Sequence, residues 1–212
     1  MKIKNFIWKY LLDPIIIKIG NRLEHYRGLQ PVTHRGLIWA EQGQFAKSVV
    51  FYSDASVVNY GSCQNLAINE YCHIRGEIVV FQSGRLNIGS HTYIGIGSRV
   101  WCRQGISIGS HVLISHYVDI HDSNSHSMNW KQRRIEQVEL FENRRIWSSP
   151  DIESAKVIIE DDAWIGLKTT ILKGVRIGRG AVIGANSVVT KDAPPFTLVA
   201  GNPARVVRQL PN

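Results

Sequence analysis

The sequence predicts an all-β fold, a parallel solenoid of stacked triangular coils, on three observations. The first is a period of six. Ile159, Ile165, Ile171, Ile177, Ile183 and Val189 place an aliphatic residue at every sixth position. The second is a companion position four places after each of the first five, held by the smaller Ala163, Thr169, Val175, Ala181 and Ser187. The third is the intervening Gly, Asp, Arg, Lys and Asn, which suit turns and water. A helix needs apolar spacing of three and four, and a lone amphipathic strand needs spacing of two. Sixes fit short strands joined by turns, with one large and one small inward residue per face. Three faces close a coil of about eighteen residues, and a single coil cannot bury its apolar edge, so coils stack.

Taken in order, residues 1–60 read as an N-terminal helical and irregular segment packed on the solenoid. Phe6, Ile7, Leu11, Leu12, Ile15, Ile16, Ile17 and Ile19 supply apolar bulk among Lys2, Lys4, Lys9 and Lys18, and Asp13-Pro14 splits any helix. The run is too short and too charged to span a bilayer. No small-residue cleavage site follows its apolar core, which argues against a secretory signal. A second reading is a basic amphipathic anchor making peripheral membrane contact. From Gly36 to Tyr60, runs such as Val49-Val50-Phe51-Tyr52 read as strands of an irregular first coil.

Residues 61–192 read as the main solenoid. Ile68, Ile74 and Val80 form one set of hexads, Ile88, Ile94 and Val100 a second, and Ile108, Ile114 and Ile120 a third. Each set restarts after eight residues, so each coil carries a two-residue corner insertion, as at Ser83-Gly84-Arg85 and Arg103-Gln104-Gly105. The pattern stops after Ile120 and resumes at Val157, leaving a long loop at 121–156 that holds Trp130 and Trp147. Long interruptions of a regular solenoid are usually functional. Pro194-Pro195 ends the last coil, and residues 193–212 read as a C-terminal cap over the open edge.

Composition narrows the function. The chain has 212 residues and a net charge of +8, with ordinary apolar and charged fractions that exclude disorder and collagen. No zinc-finger, RNP or helix-turn-helix pattern turns the basic excess toward nucleic acid. The three cysteines, Cys63, Cys72 and Cys102, lack CxxC or metal spacing and read as reduced residues of a cytoplasmic protein.

Three stretches resemble the hexapeptide-repeat acyltransferases, most closely their sugar and polysaccharide O-acetyltransferase branch. They are Asp162-Ala163-Trp164-Ile165-Gly166, the run from Ile183 to Asp192, and Gly201-Asn202-Pro203-Ala204-Arg205. The likeness is close from about Gly89 to Arg208 and absent before about Gly61. It implies a left-handed β-helix, acetyl-CoA as co-substrate with no metal, and a homotrimer with active sites between subunits. The acceptor it implies is a hydroxyl of a sugar or bacterial polysaccharide intermediate, and the place of action is the cytoplasm or the inner membrane surface.

Acetyl transfer from a thioester to an alcohol needs a general base, donors for the developing oxyanion and a groove for the long donor. His126, in the polar loop Asp122-Ser123-Asn124-Ser125-His126, matches the family's catalytic histidine. Asp122 or a backbone carbonyl would orient its ring, and His121 is the reserve base. Trp164 matches the family's tryptophan beside the thioester, and as plainly could be a packing residue. The family's coenzyme contacts fall on Leu167, Ala185, Thr190, Lys191, Arg205 and Arg208. Leu167 and Ala185 would act through backbone groups, and the basic residues through phosphates. The excess length between His126 and Trp164 is where acceptor choice would reside. Two other classes compete. His116 and His121 have the spacing of the γ-class carbonic anhydrases, which share this solenoid and bind zinc. A non-catalytic trimeric scaffold is the third reading.

Overall fold

The computed structural model describes residues 41–143 and 152–212. The helices and the membrane anchor expected before residue 41, and Trp147, lie outside the described residues.

The hexads become strands of two to four residues, each hydrogen-bonded to its counterpart one coil away. The first coil holds β1 (Gln44–Phe45), β2 (Val50–Phe51) and β3 (Ser56–Asn59), and the second β4 (Leu66–Ile68), β5 (His73–Ile74) and β6 (Glu77–Val80). The third holds β7 (Leu86–Ile88), β8 (Tyr93–Ile94) and β9 (Arg99–Cys102), and the fourth β10 (Ile106–Ile108), β11 (Leu113–Ile114) and β12 (Asp119–His121). An excursion carrying α1 (Trp130–Phe141) then leaves the solenoid. The fifth coil is β13 (Val157–Ile159), β14 (Trp164–Ile165) and β15 (Thr170–Ile171), and the sixth β16 (Arg176–Ile177), β17 (Val182–Ile183) and β18 (Val188–Val189). β19 (Thr197–Gly201) and β20 (Ala204–Gln209) close the end. These strands make three sheets of six, eight and six strands, parallel throughout except for the terminal β20, and the sheets are the sides of a triangular prism. The ladder starts at Gln44, ahead of the boundary drawn at Gly61, because β1 to β3 already pair with the second coil.

Register explains the core. In the first sheet Ile68, Ile88, Ile108, Ile159 and Ile177 align strand on strand. In the second, Ile74, Ile94, Ile114, Ile165 and Ile183 do the same. All are buried, and each contributes about 1.5–3 kcal/mol of apolar burial. The small inward position serves the corners. Where it is polar, its side chain satisfies a carbonyl of the next coil: Thr92 donates to Gly109 (2.8 Å) and Ser98 to Ser115 (2.7 Å). Cys72 occupies the same position and reaches the Gly89 carbonyl, and the three described cysteines are free. Burial pushes the Cys102 thiol up to about 12, so it stays protonated and inert.

The corners need left-handed backbone. Between first and second sheets, Tyr71, His91, His111 and Asp162 have φ of 58° to 63°. Between second and third, Tyr117, Lys168 and Asn186 do so at 55° to 57°, with Gly97 in line. A Cβ on Gly97 would stand 2.5 Å from the Tyr117 ring, so only glycine fits beneath it. At the C-terminal end β19 pairs parallel with β17 and antiparallel with β20. The exposed outer strand carries Arg205 and Arg208, charges that discourage further strand pairing.

Candidate functional site

The excursion begins where β12 ends, at the corner between the third and first sheets. Its base is a short antiparallel pairing: Ser123 bridges Ser154, Asn124 N–H donates to Glu153, and Ala155 N–H to Asp122. Ser125 then turns through φ 64°, and His126 N–H donates back to the Asn124 carbonyl at 2.7 Å. The turn swings the His126 side chain outward.

Asn129 caps α1, its side chain accepting from Lys131 N–H at 3.0 Å. The sequence reading has no helix here. Its apolar residues lack a 3.6-residue stripe, and the signal that could have found it is Asn129 with Gln132 three places later, ahead of a run of strong helix formers. Arg133 ties helix to loop by donating to the carbonyls of Ser127 (2.8 Å) and Met128 (2.9 Å). One turn on, Glu136 is the helix's one buried residue, 6% exposed. Its Oε2 lies 3.1 Å from Nδ1 of His126, whose side chain is 70% exposed. Its Oε1 is buried without a hydrogen-bond partner. A carboxylate at Nδ1 holds the proton there and leaves Nε2 as the basic, solvent-facing nitrogen.

Asp122 does not take this role. Its carboxylate is fully buried and accepts from backbone N–H groups of Arg103 (2.7 Å), Gln104 (2.7 Å) and Gly105 (2.6 Å). Those donors belong to the corner insertion one coil below, so Asp122 pins that corner. His121, the reserve base, packs against the Trp101 ring at 5.1 Å, and burial lowers its pKa.

Trp164 stands on the outer face of the second sheet between Leu113 and Val182, 50% exposed, its Nε1 donating to Ser115 Oγ at 3.3 Å. Leu167 and Ala185 line the next corner, between second and third sheets, where Asn186 N–H donates to Leu167 and Gly201 N–H to Ser187 Oγ. A Cβ on Gly166 would meet the Ala185 nitrogen at 2.7 Å, so the chain packs backbone on backbone there. Thr190 and Lys191 are exposed at the far end of β18, and Arg205 and Arg208 lie on β20 opposite Ala200 and Leu198. Trp164, Leu167 and Ala185 thus share one side of the prism. The corner that launches the His126 loop, between the third and first sheets, is opposite the second sheet, which carries Trp164. His116 and His121 lie at opposite ends of the third side of one coil. No group of three or more His, Cys, Asp or Glu residues that could hold a metal ion occurs among the described residues.

The family model for the hexapeptide repeat of succinyl-transferase matches residues 156–191. A 2,3,4,5-tetrahydropyridine-2,6-dicarboxylate N-acetyltransferase of Staphylococcus aureus is 52% identical over 56 residues, 26% of this chain and 23% of that protein. The chain therefore spans about a quarter of the length of the curated relatives it matches. Among solved structures, the polySia-specific acetyltransferase NeuO superposes with a TM-score of 0.63 at 27% identity, covering 78% of this chain and 70% of its own. A hexapeptide-repeat acetyltransferase of Vibrio cholerae, solved with acetyl coenzyme A, gives 0.57 at 27% identity over 90% and 83%. Residues 156–191 thus match the hexapeptide repeat, and the two solved structures that resemble the chain at 27% identity are acetyltransferases.

Proposed function

We propose that this hexapeptide-repeat protein is an acetyl-CoA-dependent O-acetyltransferase acting on a sugar or polysaccharide hydroxyl, with His126 as general base. The observation that carries the reading is the His126–Glu136 pair. A mostly exposed imidazole is anchored through Nδ1 by a buried carboxylate, on a loop that interrupts the coils. That arrangement costs the fold a buried charge and is hard to account for as packing.

In this reading Nε2 of His126 accepts the proton of the acceptor hydroxyl as its oxygen attacks the thioester carbonyl carbon. Glu136 holds the ring and stabilises the imidazolium. The tetrahedral intermediate collapses with loss of the carbon–sulfur bond, and the coenzyme thiolate recovers the proton from His126. Transfer is direct, with no acyl-enzyme. Because His126 and Trp164 leave opposite sides of one prism, the site is completed by a second copy. His126 of one subunit faces Trp164, Leu167 and Ala185 of its neighbour, and a homotrimer closes three such sites. Leu167 and Ala185 border the pantetheine arm with backbone groups, while Thr190, Lys191, Arg205 and Arg208 receive the phosphates. The likeness to NeuO and to the Vibrio cholerae enzyme supports the donor and the sugar acceptor.

The test is calorimetric binding of acetyl-CoA to the parent and to His126→Ala, beside acetyl transfer to a panel of sugars and light scattering for subunit number. The reading expects binding in both proteins, transfer in the parent alone, and a mass of three chains. A parent that binds no acetyl-CoA sinks it.

A further inference from the structure

Outward positions on the first sheet are small or polar for most of its length: Ala67, Asn87 and Ser107 align in register. The third sheet differs. In register there, Val79, Trp101 and His121 face outward, with Phe81 and Tyr60 beside them at the corner. Tyr60 stacks on Phe81 at 6.2 Å, Phe81 meets Trp101 edge-on at 6.4 Å and 74°, and Trp101 lies against His121 at 5.1 Å. These rings come from four successive coils, so they run along the solenoid axis. Tyr60, Phe81 and Trp101, with Val79, line a groove of about 500 Å³, rimmed by Gln82, Ser83 and Arg103, within the usual range for small-molecule sites, and His121 lies against Trp101 just beyond it.

The groove is fixed and leads somewhere. Trp101 is held by its Nε1 donating to Glu77 at 2.6 Å. The Arg103 backbone is held by Asp122, the residue from which the His126 loop departs. The upper end of the aromatic row, His121, is followed directly by that loop.

We propose that this groove seats the acceptor as an oligosaccharide lying along the third sheet, its reacting unit at His126 and its further units on Trp101, Phe81 and Tyr60. This rests on the acetyltransferase reading. A pyranose ring offers an apolar C–H face to an aromatic wall and a rim of hydroxyls to amide, hydroxyl and guanidinium groups. The steeply inclined Phe81–Trp101 wall and the Gln82, Ser83 and Arg103 rim supply both. The rows are one coil apart, about 4.8 Å each, so Tyr60 lies three coils, roughly 15 Å, from the level of His121. A monosaccharide at His126 does not reach Tyr60, and a longer acceptor does.

The experiment compares N-acetylglucosamine and sialic acid with their linear trimers on the full chain, using the parent, Tyr60→Ala and Phe81→Ala. Saturation-transfer NMR without coenzyme reads saccharide contact, kinetics read acceptor KM, and calorimetry reads acetyl-CoA affinity. The expected result is a trimer bound more tightly than its monomer. Either substitution raises trimer KM about tenfold, a stacking contact of about 1.4 kcal/mol, and leaves acetyl-CoA affinity and monomer KM unchanged. Equal KM values for parent and variants overturn the proposal. So does a change in subunit number with unaltered saccharide contact, which assigns the face to a neighbouring copy. A parent that contacts trimer but binds no acetyl-CoA instead overturns the acetyltransferase reading and leaves the groove standing.

Discussion

The coils and the excursion use burial in opposite ways. In the coils, the large inward positions are almost all aliphatic, set in register from strand to strand, and the small ones are aliphatic or short and hydrogen-bonded. In the excursion, α1 buries one side chain, a glutamate, while Trp130, Ile135, Leu140 and Phe141 stand exposed, Phe141 at 77%. The coils bury apolar groups to hold a shape. The excursion buries a carboxylate to hold one ring in place and leaves its apolar residues exposed. Stability and chemistry should therefore separate by region when single residues are changed.

The largest separation is expected at His126. His126→Ala should lower transfer by about 10²–10⁴-fold while melting temperature and acetyl-CoA affinity hold. Steady-state kinetics beside calorimetry and thermal melts check this, and retained transfer would remove His126 from the chemistry. The mirror case is Ile114, fully buried in the second sheet. Ile114→Ala should cost about 2–5 kcal/mol of stability through lost burial and the cavity left behind, read by urea unfolding, with the folded fraction keeping its kcat.

Asp122 tests the border. Its carboxylate holds three backbone N–H groups of the coil below, so Asp122→Ala should cost about 2–4 kcal/mol by leaving buried donors unpaired. Activity should fall in step with folding. A rate loss with unchanged stability would restore Asp122 to a catalytic role.

Glu136→Gln sharpens the comparison from the other side. The amide keeps shape and loses charge, so kcat should fall about tenfold, a difference near 1.4 kcal/mol in the barrier, with acceptor and acetyl-CoA KM little changed. A fall in melting temperature without a fall in kcat would make Glu136 a packing residue.

The smallest effect is expected from pH at His121. Burial lowers its pKa in the fold, with Asp119 opposing and Arg99 assisting. The unfolded chain then binds the proton first, and stability falls as pH drops below the unfolded value, about 6.5. Urea midpoints for parent and His121→Gln should diverge at pH 7.5 and approach each other at pH 5.5.

Much of the fold was legible because a six-residue period is a local property. Ile165 is inward for the same reason as Ile159, and Thr169 and Ser187 sit where a small residue must fill the prism. The corner insertion at Arg103-Gln104-Gly105 was legible as a count of eight where six was due. The first coil was harder to delimit, since Gln44-Phe45 and Ser56–Asn59 are strands through their pairing with the second coil and not through their own pattern. His126 and Trp164 are candidates by likeness to a family, and the role of His126 awaits the kinetic test above.

The tertiary structure decided who meets whom. Asp122 is four residues from His126, yet its charge goes to three N–H groups that stacking places beneath it. Glu136 is ten residues away and reaches the ring because α1 folds back through the Arg133 tie. Trp164 aligns with Leu113 and Val182 on the side of the prism away from the corner that launches the His126 loop. A sequence determines what repeats along itself. Which polar group answers which is set by the energy of leaving a buried charge unpaired, and that depends on neighbours brought in by the coil and the helix.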